Sequence, residues 1–162
     1  MNRILKTLIE FIIIVVIVYL GVTLLANIGF AEESEAYVLC ADYVNVRPFP
    51  NRKGEPVGRL EAGDSVWLDG KKRNGYLHCV DMGLESDGWV YAGFIVYDEP
   101  ERVSQNAVIV SRGRLAARKY VKGRRTRWLK SHATVFVYWW SDDWCLTNCG
   151  YVQTRYLELE GE

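Results

Sequence analysis

The stretch Tyr43-Val44-Asn45-Val46-Arg47-Pro48-Phe49-Pro50-Asn51 reads as a short strand that ends in a proline-rich turn. Strand side chains alternate between two faces, so Val44 and Val46 share one face while Asn45 and Arg47 share the other. Pro48 lacks a backbone N–H and holds the residue before it in extended geometry, which ends the strand. The stretch therefore predicts a half-buried strand with both valines in a core.

Two later stretches complete the pattern that this strand begins. They are Leu60-Glu61-Ala62-Gly63-Asp64-Ser65-Val66-Trp67 and Gly88-Trp89-Val90. In this order the three stretches resemble the bacterial SH3-like domain, a small β-barrel found in many cell-envelope proteins. The resemblance covers about residues 36–97 and implies an all-β fold of short strands.

A second copy of the same plan follows in residues 105–160. Leu115-Ala116-Ala117-Arg118 corresponds to the strand at residues 44–47, residues 129–136 correspond to residues 60–67, and Gly150-Tyr151-Val152 corresponds to Gly88-Trp89-Val90. The second copy has Ala116 in place of the asparagine and His132 in place of the turn glycine. The resemblance thus implies two small SH3-like β-barrels in tandem, with a linker at residues 98–104.

Residues 1–31 differ from the rest of the chain. Arg3 and Lys6 precede an uncharged run from residue 11 to residue 31, and Gly29-Phe30-Ala31 suits signal peptidase. This pattern predicts an apolar helix that serves as a signal peptide. The run is also close to the length of a membrane span, so a retained anchor through residues 8–31 stays open. Either alternative predicts that the rest of the chain is secreted or held on the extracytoplasmic face of the membrane, and the SH3-like resemblance implies that the protein is bacterial.

Charge is distributed unequally although the formal net charge is zero. Residues 32–100 contain thirteen acidic and seven basic residues, whereas residues 101–162 contain six acidic and eleven basic residues. The basic excess of residues 101–162 favours contact with an anionic polymer. The alternatives are that this basic surface docks on the acidic first copy, or that it is a solvated loop. No nucleic acid is expected, because no recognition motif for it occurs. The basic cluster comprises Arg112, Arg114, Arg118, Lys119, Lys122, Arg124, Arg125, Arg127 and Lys130.

The residue pattern predicts neither an enzyme nor a metal site, and it indicates no cofactor. His78 and Cys79 are neighbours on a predicted strand, so their side chains point to opposite faces and cannot form a nucleophile–base pair. Cys145, Cys149 and His132 offer three potential ligands, whereas a tetrahedral zinc site needs four.

Four cysteines outside the cytoplasm favour disulfides. Pairing within each copy gives Cys40–Cys79 and Cys145–Cys149, one of three possible connectivities. The Cys145–Cys149 loop is short enough that two free thiols are the alternative there.

Aromatic side chains on the face opposite the core suggest a binding surface in the first copy. The resemblance implies a non-catalytic exported module that recognises peptidoglycan or its peptide stems. The alternative is a membrane-anchored protein-interaction or assembly component of the envelope that does not bind the wall. The predicted ligand-binding residues are Tyr43, Asn45, Arg47, Phe49, Trp89 and Tyr91.

Overall fold

The computed structural model describes residue 16, residues 33–84 and residues 86–161. The predicted signal peptide or anchor, apart from Val16, lies outside the described residues. Within the described ranges, no helix is both long enough and apolar enough to cross a bilayer. Residues Glu33–Glu162 form one compact unit.

The fold is all-β, as the sequence predicts, and both halves of the unit contain seven strands within the described ranges. The first-half strands are β1 (Ser34–Val38), β2 (Tyr43–Val46), β3 (Gly58–Glu61), β4 (Ser65–Arg73), β5 (Tyr76–Asp81), β6 (Gly88–Tyr91) and β7 (Ile95–Val96). The second-half strands are β8 (Glu101–Ile109), β9 (Leu115–Arg118), β10 (Arg125–Leu129), β11 (Thr134–Trp140), β12 (Trp144–Thr147), β13 (Gly150–Gln153) and β14 (Leu157–Leu159). One turn of 3-10 helix precedes the last strand of each half, at Ala92–Phe94 and at Thr154–Tyr156.

The two halves arrange their strands in the same order. The first half forms a sheet in the order β6-β5-β4-β1-β7, and the second half repeats it as β13-β12-β11-β8-β14. In the second half, β9 extends the sheet by pairing with β13 at Arg118 and Tyr151. In the first half, the β2–β3 hairpin meets β6 through a single bridge between Arg47 and Trp89.

Equivalent backbone hydrogen bonds close the turn between the third and fourth strands of each half. Gly63 N donates to Val38 O at 2.9 Å, and His132 N donates to Ile109 O at 2.7 Å. Gly63 has φ +92° and His132 has φ +60°, so histidine adopts the left-handed conformation that glycine adopts in the first half. The loss of the turn glycine therefore leaves the turn intact.

Alternation along β2 agrees with the sequence prediction. Val44 and Val46 are buried, Tyr43 is exposed, and Asn45 lies between these extremes. The valines belong to a first-half core, and the second half has a core of its own around Ile109, Val137 and Val152. Other first-half core residues are Ala36, Val38, Leu60, Val66, Leu68, Val90 and Ile95.

The halves contact each other through a third apolar cluster. Leu39 and Val96 from the first half pack with Val121, Trp144, Leu146 and Tyr151 from the second. The Tyr151 hydroxyl donates a buried hydrogen bond to Leu39 O at 2.8 Å. Both ion pairs found among the described residues involve Asp69 and lie inside the first half, so no described ion pair joins the halves. Apolar packing and hydrogen bonds, not ion pairs between the basic cluster and acidic residues, therefore make the described contact.

The predicted disulfides are not formed in this structure, because all four cysteines are free. Cys145 Sγ lies 3.2 Å from Thr154 Oγ1, whereas Cys149 Sγ donates to Asn148 Oδ1 at 3.3 Å. The two thiols of the Cys145–Cys149 pair thus have separate partners. Cys40 and Cys79 are side chains of the first core, and burial raises their pKa to about 11 and about 12, respectively. Burial makes these thiols neutral, apolar components of the core.

Candidate functional site

Three of the predicted binding residues lie on the β2–β3 hairpin and the turn that follows β2. Tyr43 is 48% exposed, and the Arg59 guanidinium carbon lies 4.4 Å from the centroid of its ring. Asn45 is paired with Arg59 in the hairpin register. Phe49 is 61% exposed in the turn. These residues form an exposed aromatic and cationic surface, because a guanidinium over a ring is a favourable cation–π contact.

Arg47 and Trp89 are brought together by the backbone. Arg47 N donates to Trp89 O at 3.0 Å, and Trp89 N donates to Arg47 O at 2.8 Å. The Arg47 side chain turns away from a possible ligand, since Nη1 donates to Arg52 O at 3.1 Å and to Gly54 O at 3.0 Å. Arg47 therefore stabilises the loop after β2. The Trp89 ring lies 4.9 Å from the His78 ring.

Tyr91 lies apart from this surface, in an aromatic cluster between the two halves. Its ring centroid is 5.5 Å from that of Tyr76, 6.1 Å from that of Phe94 and 5.2 Å from that of Tyr120. Edge-to-face contacts of this kind stabilise packing. The six predicted residues thus divide into an exposed hairpin surface, a bridged Arg47–Trp89 pair and an interface tyrosine.

A concave site occurs in the second half, and four of its lining residues are counterparts of predicted binding residues of the first half. This cleft, which we call the arginine cleft, has a volume of about 440 Å³. The strands β9 and β13 correspond to β2 and β6. The matched positions are therefore Arg114 with Tyr43, Ala116 with Asn45, Arg118 with Arg47, and Gln153 with Tyr91. The lining residues are Ser111, Arg112, Gly113, Arg114, Leu115, Ala116, Arg118, Trp128, Gln153 and Tyr156.

The arginine cleft is positively charged, with three arginines and no acidic residue in its lining. Arg112 and Arg114 are exposed, whereas Arg118 is half-buried and donates from Nη1 to Gly123 O at 2.8 Å. The Arg125 guanidinium carbon lies 4.4 Å from the Trp128 ring centroid, at the edge of the cleft. Guanidinium groups bind carboxylates and phosphates with two parallel hydrogen bonds, so the cleft suits an anionic group beside an apolar surface.

Sequence reasoning identified the basic cluster but did not predict the cleft. Trp128, Gln153 and Tyr156 were not among the predicted ligand-binding residues. Trp128 carries one usable signal, because it precedes Leu129 on the exposed side of a strand next to several arginines. Gln153 and Tyr156 belong to β13 and the 3-10 helix, and only the folded arrangement brings them beside β9.

One pair of titratable side chains in the first half resembles part of a catalytic arrangement. His78 Nδ1 lies 2.9 Å from Asp69 Oδ2. Burial alone would raise the pKa of Asp69, but hydrogen bonds from Lys71 and from His78 outweigh it and lower that pKa below its ordinary value. Cys79 is completely buried in the first-half core. In the part of the chain that the structure describes, no group of three or more His, Cys, Asp or Glu residues could hold a metal ion.

Distant solved structures are among the proteins that this chain matches. No protein-family model matches the chain, and no curated protein matches it. The structure of NlpC1 from Trichomonas vaginalis matches with a TM-score of 0.35 and 14% identity, covering 80% of this chain and 47% of that one. NlpC2 from the same organism matches with a TM-score of 0.35 and 13% identity, covering 80% and 49%. The chain spans about half the length of these structures, and similarity at this level assigns neither an activity nor a fold family to it.

Proposed function

We propose that this protein is a non-catalytic, exported module of two SH3-like halves that binds peptidoglycan through its acidic peptide stems. The observation that carries the proposal is the arginine cleft. It combines Arg112 and Arg114, both exposed, with Trp128, which is 48% exposed. Stem peptides offer carboxylates to the guanidinium groups and apolar side chains to the indole ring.

Charge around the cleft supports an anionic ligand. Arg124, Arg125 and Arg127 are exposed on the neighbouring strand and the residue before it. Such a field attracts a polyanion over roughly 8–10 Å at physiological salt, and it weakens as ionic strength rises. The specific part of binding must then come from guanidinium groups that reach the ligand within the cleft.

The test is co-sedimentation of the purified protein with isolated cell-wall sacculi. The Arg112→Gln/Arg114→Gln variant removes two cleft charges, and Lys119→Gln/Arg124→Gln removes two exposed charges outside the cleft lining. Both variants change the net charge equally. We expect the cleft variant to bind at least about tenfold more weakly, because a hydrogen bond to a charged group contributes about 1.5–3 kcal/mol. We expect the control to lose less than about twofold.

A third variant compares the cleft with the aromatic surface of the first half. Tyr43→Ala/Phe49→Ala removes the two exposed rings without changing the charge. Equal losses of sacculus binding in the cleft variant and in the Lys119→Gln/Arg124→Gln control would mean that the interaction is non-specific electrostatic attraction. A loss confined to Tyr43→Ala/Phe49→Ala would move the site to the first half. No sedimentation by the unaltered protein would reject wall binding and favour the assembly component.

A further inference from the structure

The two halves enclose a second cleft whose lining has both signs of charge. Asp42 and Glu61 come from the first half, and Arg102 comes from β8 of the second. Trp139 and Tyr138 on β11 also line this cleft, which has a volume of about 480 Å³. That volume is within the usual range of small-ligand sites. We call it the inter-half cleft.

The charged side chains of the inter-half cleft face a common space without pairing with each other. Among the described residues, no ion pair within 4.0 Å involves Asp42, Glu61 or Arg102. All three residues are exposed, so their charges remain hydrated in the ligand-free protein. The lining of the cleft therefore combines two carboxylates from the first half with one guanidinium group and two aromatic side chains from the second.

The backbone beside the cleft is irregular at β11, the strand that carries Trp139. On the β12 side, β11 carries one extra residue, Tyr138, because Val137 pairs with Thr147 and Trp139 pairs with Leu146. Bulges of this kind redirect side chains and are common beside functional sites. Here the bulge changes the alternation, so that Trp139 packs towards the third apolar cluster while Trp140 packs on the second-half core.

A second irregularity lies opposite the first. Val137 pairs with Gln105 and Trp139 pairs with Arg102, so β8 has one extra residue in this interval. Ser104, which lies in that interval and lines the cleft, has φ +54°. A non-glycine residue held in the left-handed region is strained, and strained residues of this kind cluster at functional sites. Two bulges and one strained residue therefore coincide at a cleft with separated charges.

We propose that the inter-half cleft binds a short peptide or amino acid that carries both a free ammonium group and a free carboxylate. The ammonium group contacts Asp42 and Glu61, the carboxylate contacts Arg102, and the apolar part lies against Trp139. This site goes beyond the proposed function, because it uses neither the arginine cleft nor a polymer.

The test is a titration of the whole chain with the dipeptide Ala-Ala, in mild detergent because residues 11–31 are an uncharged apolar run. Two-dimensional ¹H–¹⁵N NMR follows the Trp139 indole and Ser104 amide signals. N-acetyl-Ala-Ala and Ala-Ala-amide serve as probes that lack one charge each. We expect saturable shifts with Ala-Ala, and binding of each capped dipeptide weaker by about tenfold or more, because each loses a charge-assisted contact.

Matched variants separate the site from general electrostatics. Arg102→Gln and Glu61→Gln each remove one charge of the cleft, whereas Arg112→Gln removes one charge of the arginine cleft. We expect the first two variants to weaken Ala-Ala binding at least about tenfold, and Arg112→Gln to leave it unchanged. An unchanged NMR spectrum away from the substituted residue verifies that each variant is folded.

Three results would overturn this proposal. They are no saturable shift up to about 50 mM Ala-Ala, equal binding of the capped and uncapped dipeptides, and equal effects of Arg102→Gln and Arg112→Gln. Sacculus binding is measured separately with the arginine-cleft variants, so failure of either proposal leaves the other standing.

Discussion

Trp89 and Tyr151 occupy the same backbone position in the two halves but have different surroundings. Trp89 is bridged to Arg47, which directly follows β2, and Tyr151 is paired with Arg118, the last residue of β9. Trp89 is half-buried beside His78, whereas Tyr151 is 4% exposed and hydrogen-bonded to Leu39 of the other half. Equivalent backbone pairing therefore does not give equivalent side-chain roles.

The turn after the second strand shows the same asymmetry. Phe49 is 61% exposed in the first half. Its counterpart Tyr120 packs edge-to-face on Tyr91 and on Phe94, with ring centroids 5.2 Å apart in each pair. The second half thus uses this surface to contact the first, while the first half leaves its own surface open. The halves are not interchangeable, and substitutions at matched positions should reveal this.

Substitution of the glycines that begin β6 and β13 should give the largest difference in stability between the two halves. A Cβ on Gly150 would lie 2.6 Å from Arg118 O, and Gly150 has φ +107°. A Cβ on Gly88 would lie 2.4 Å from a side-chain carbon of Val46 and, less tightly than at Gly150, 3.2 Å from Arg47 O, without a left-handed φ. Gly150→Ala should therefore lower the free energy of unfolding by about 4 kcal/mol, from backbone strain plus overpacking, and Gly88→Ala by about 2 kcal/mol from overpacking.

Urea unfolding measures both glycine variants. Gly113→Ala is the control, because a Cβ there meets no atom within 4 Å. An equal or larger loss in Gly88→Ala would show that the backbone contact in the second half relaxes more easily than the side-chain contact in the first.

The next effect tests the contact between the halves. Tyr151→Phe removes the donor to Leu39 O and leaves that carbonyl buried. We expect the free energy of unfolding to fall by about 1–2 kcal/mol, because a buried carbonyl that loses its donor bears the desolvation cost. Tyr97→Phe is the control, since Tyr97 is 62% exposed. Urea unfolding of both variants checks this, and equal stability of the two would mean that water replaces the tyrosine at Leu39.

Much of the fold could be predicted because it depends on local patterns. The burial of Val44 and Val46 follows from alternation, and the left-handed turn at Gly63 follows from its sequence. The equivalent turn at His132 could be predicted from the alignment of residues 129–136 with residues 60–67. Each of these features depends on a few neighbouring residues, so it can be predicted from the sequence.

The sites could be predicted only in part, because they depend on long-range arrangement. Strict alternation along an extended strand would turn one of the Trp139 and Trp140 rings outward. Both rings are half-buried, because the bulge at Tyr138 shifts the alternation and the first half covers Trp139. Counting cysteines predicted disulfides, but the sequence does not contain the distance between two side chains. Arg118 and Gln153 line one cleft only because β9 pairs with β13.

The smallest expected changes in stability come from substitutions in the two left-handed turns, at His132 and Gly63. His132→Gly should stabilise the protein by about 0.5–1 kcal/mol, because glycine adopts φ +60° without the steric cost that a side chain bears. Gly63→Ala should destabilise it by about 1 kcal/mol. A Cβ on Gly63 would lie 3.6 Å from the Trp139 ring, an ordinary contact, so the loss measures backbone strain. Gly63→Asn should destabilise the protein less than Gly63→Ala, since asparagine tolerates the left-handed region. Thermal unfolding of the three variants checks this order of stabilities. Destabilisation by His132→Gly would instead mean that the hydrogen bond between Ser131 Oγ and His132 Nδ1, 3.1 Å long, outweighs the strain.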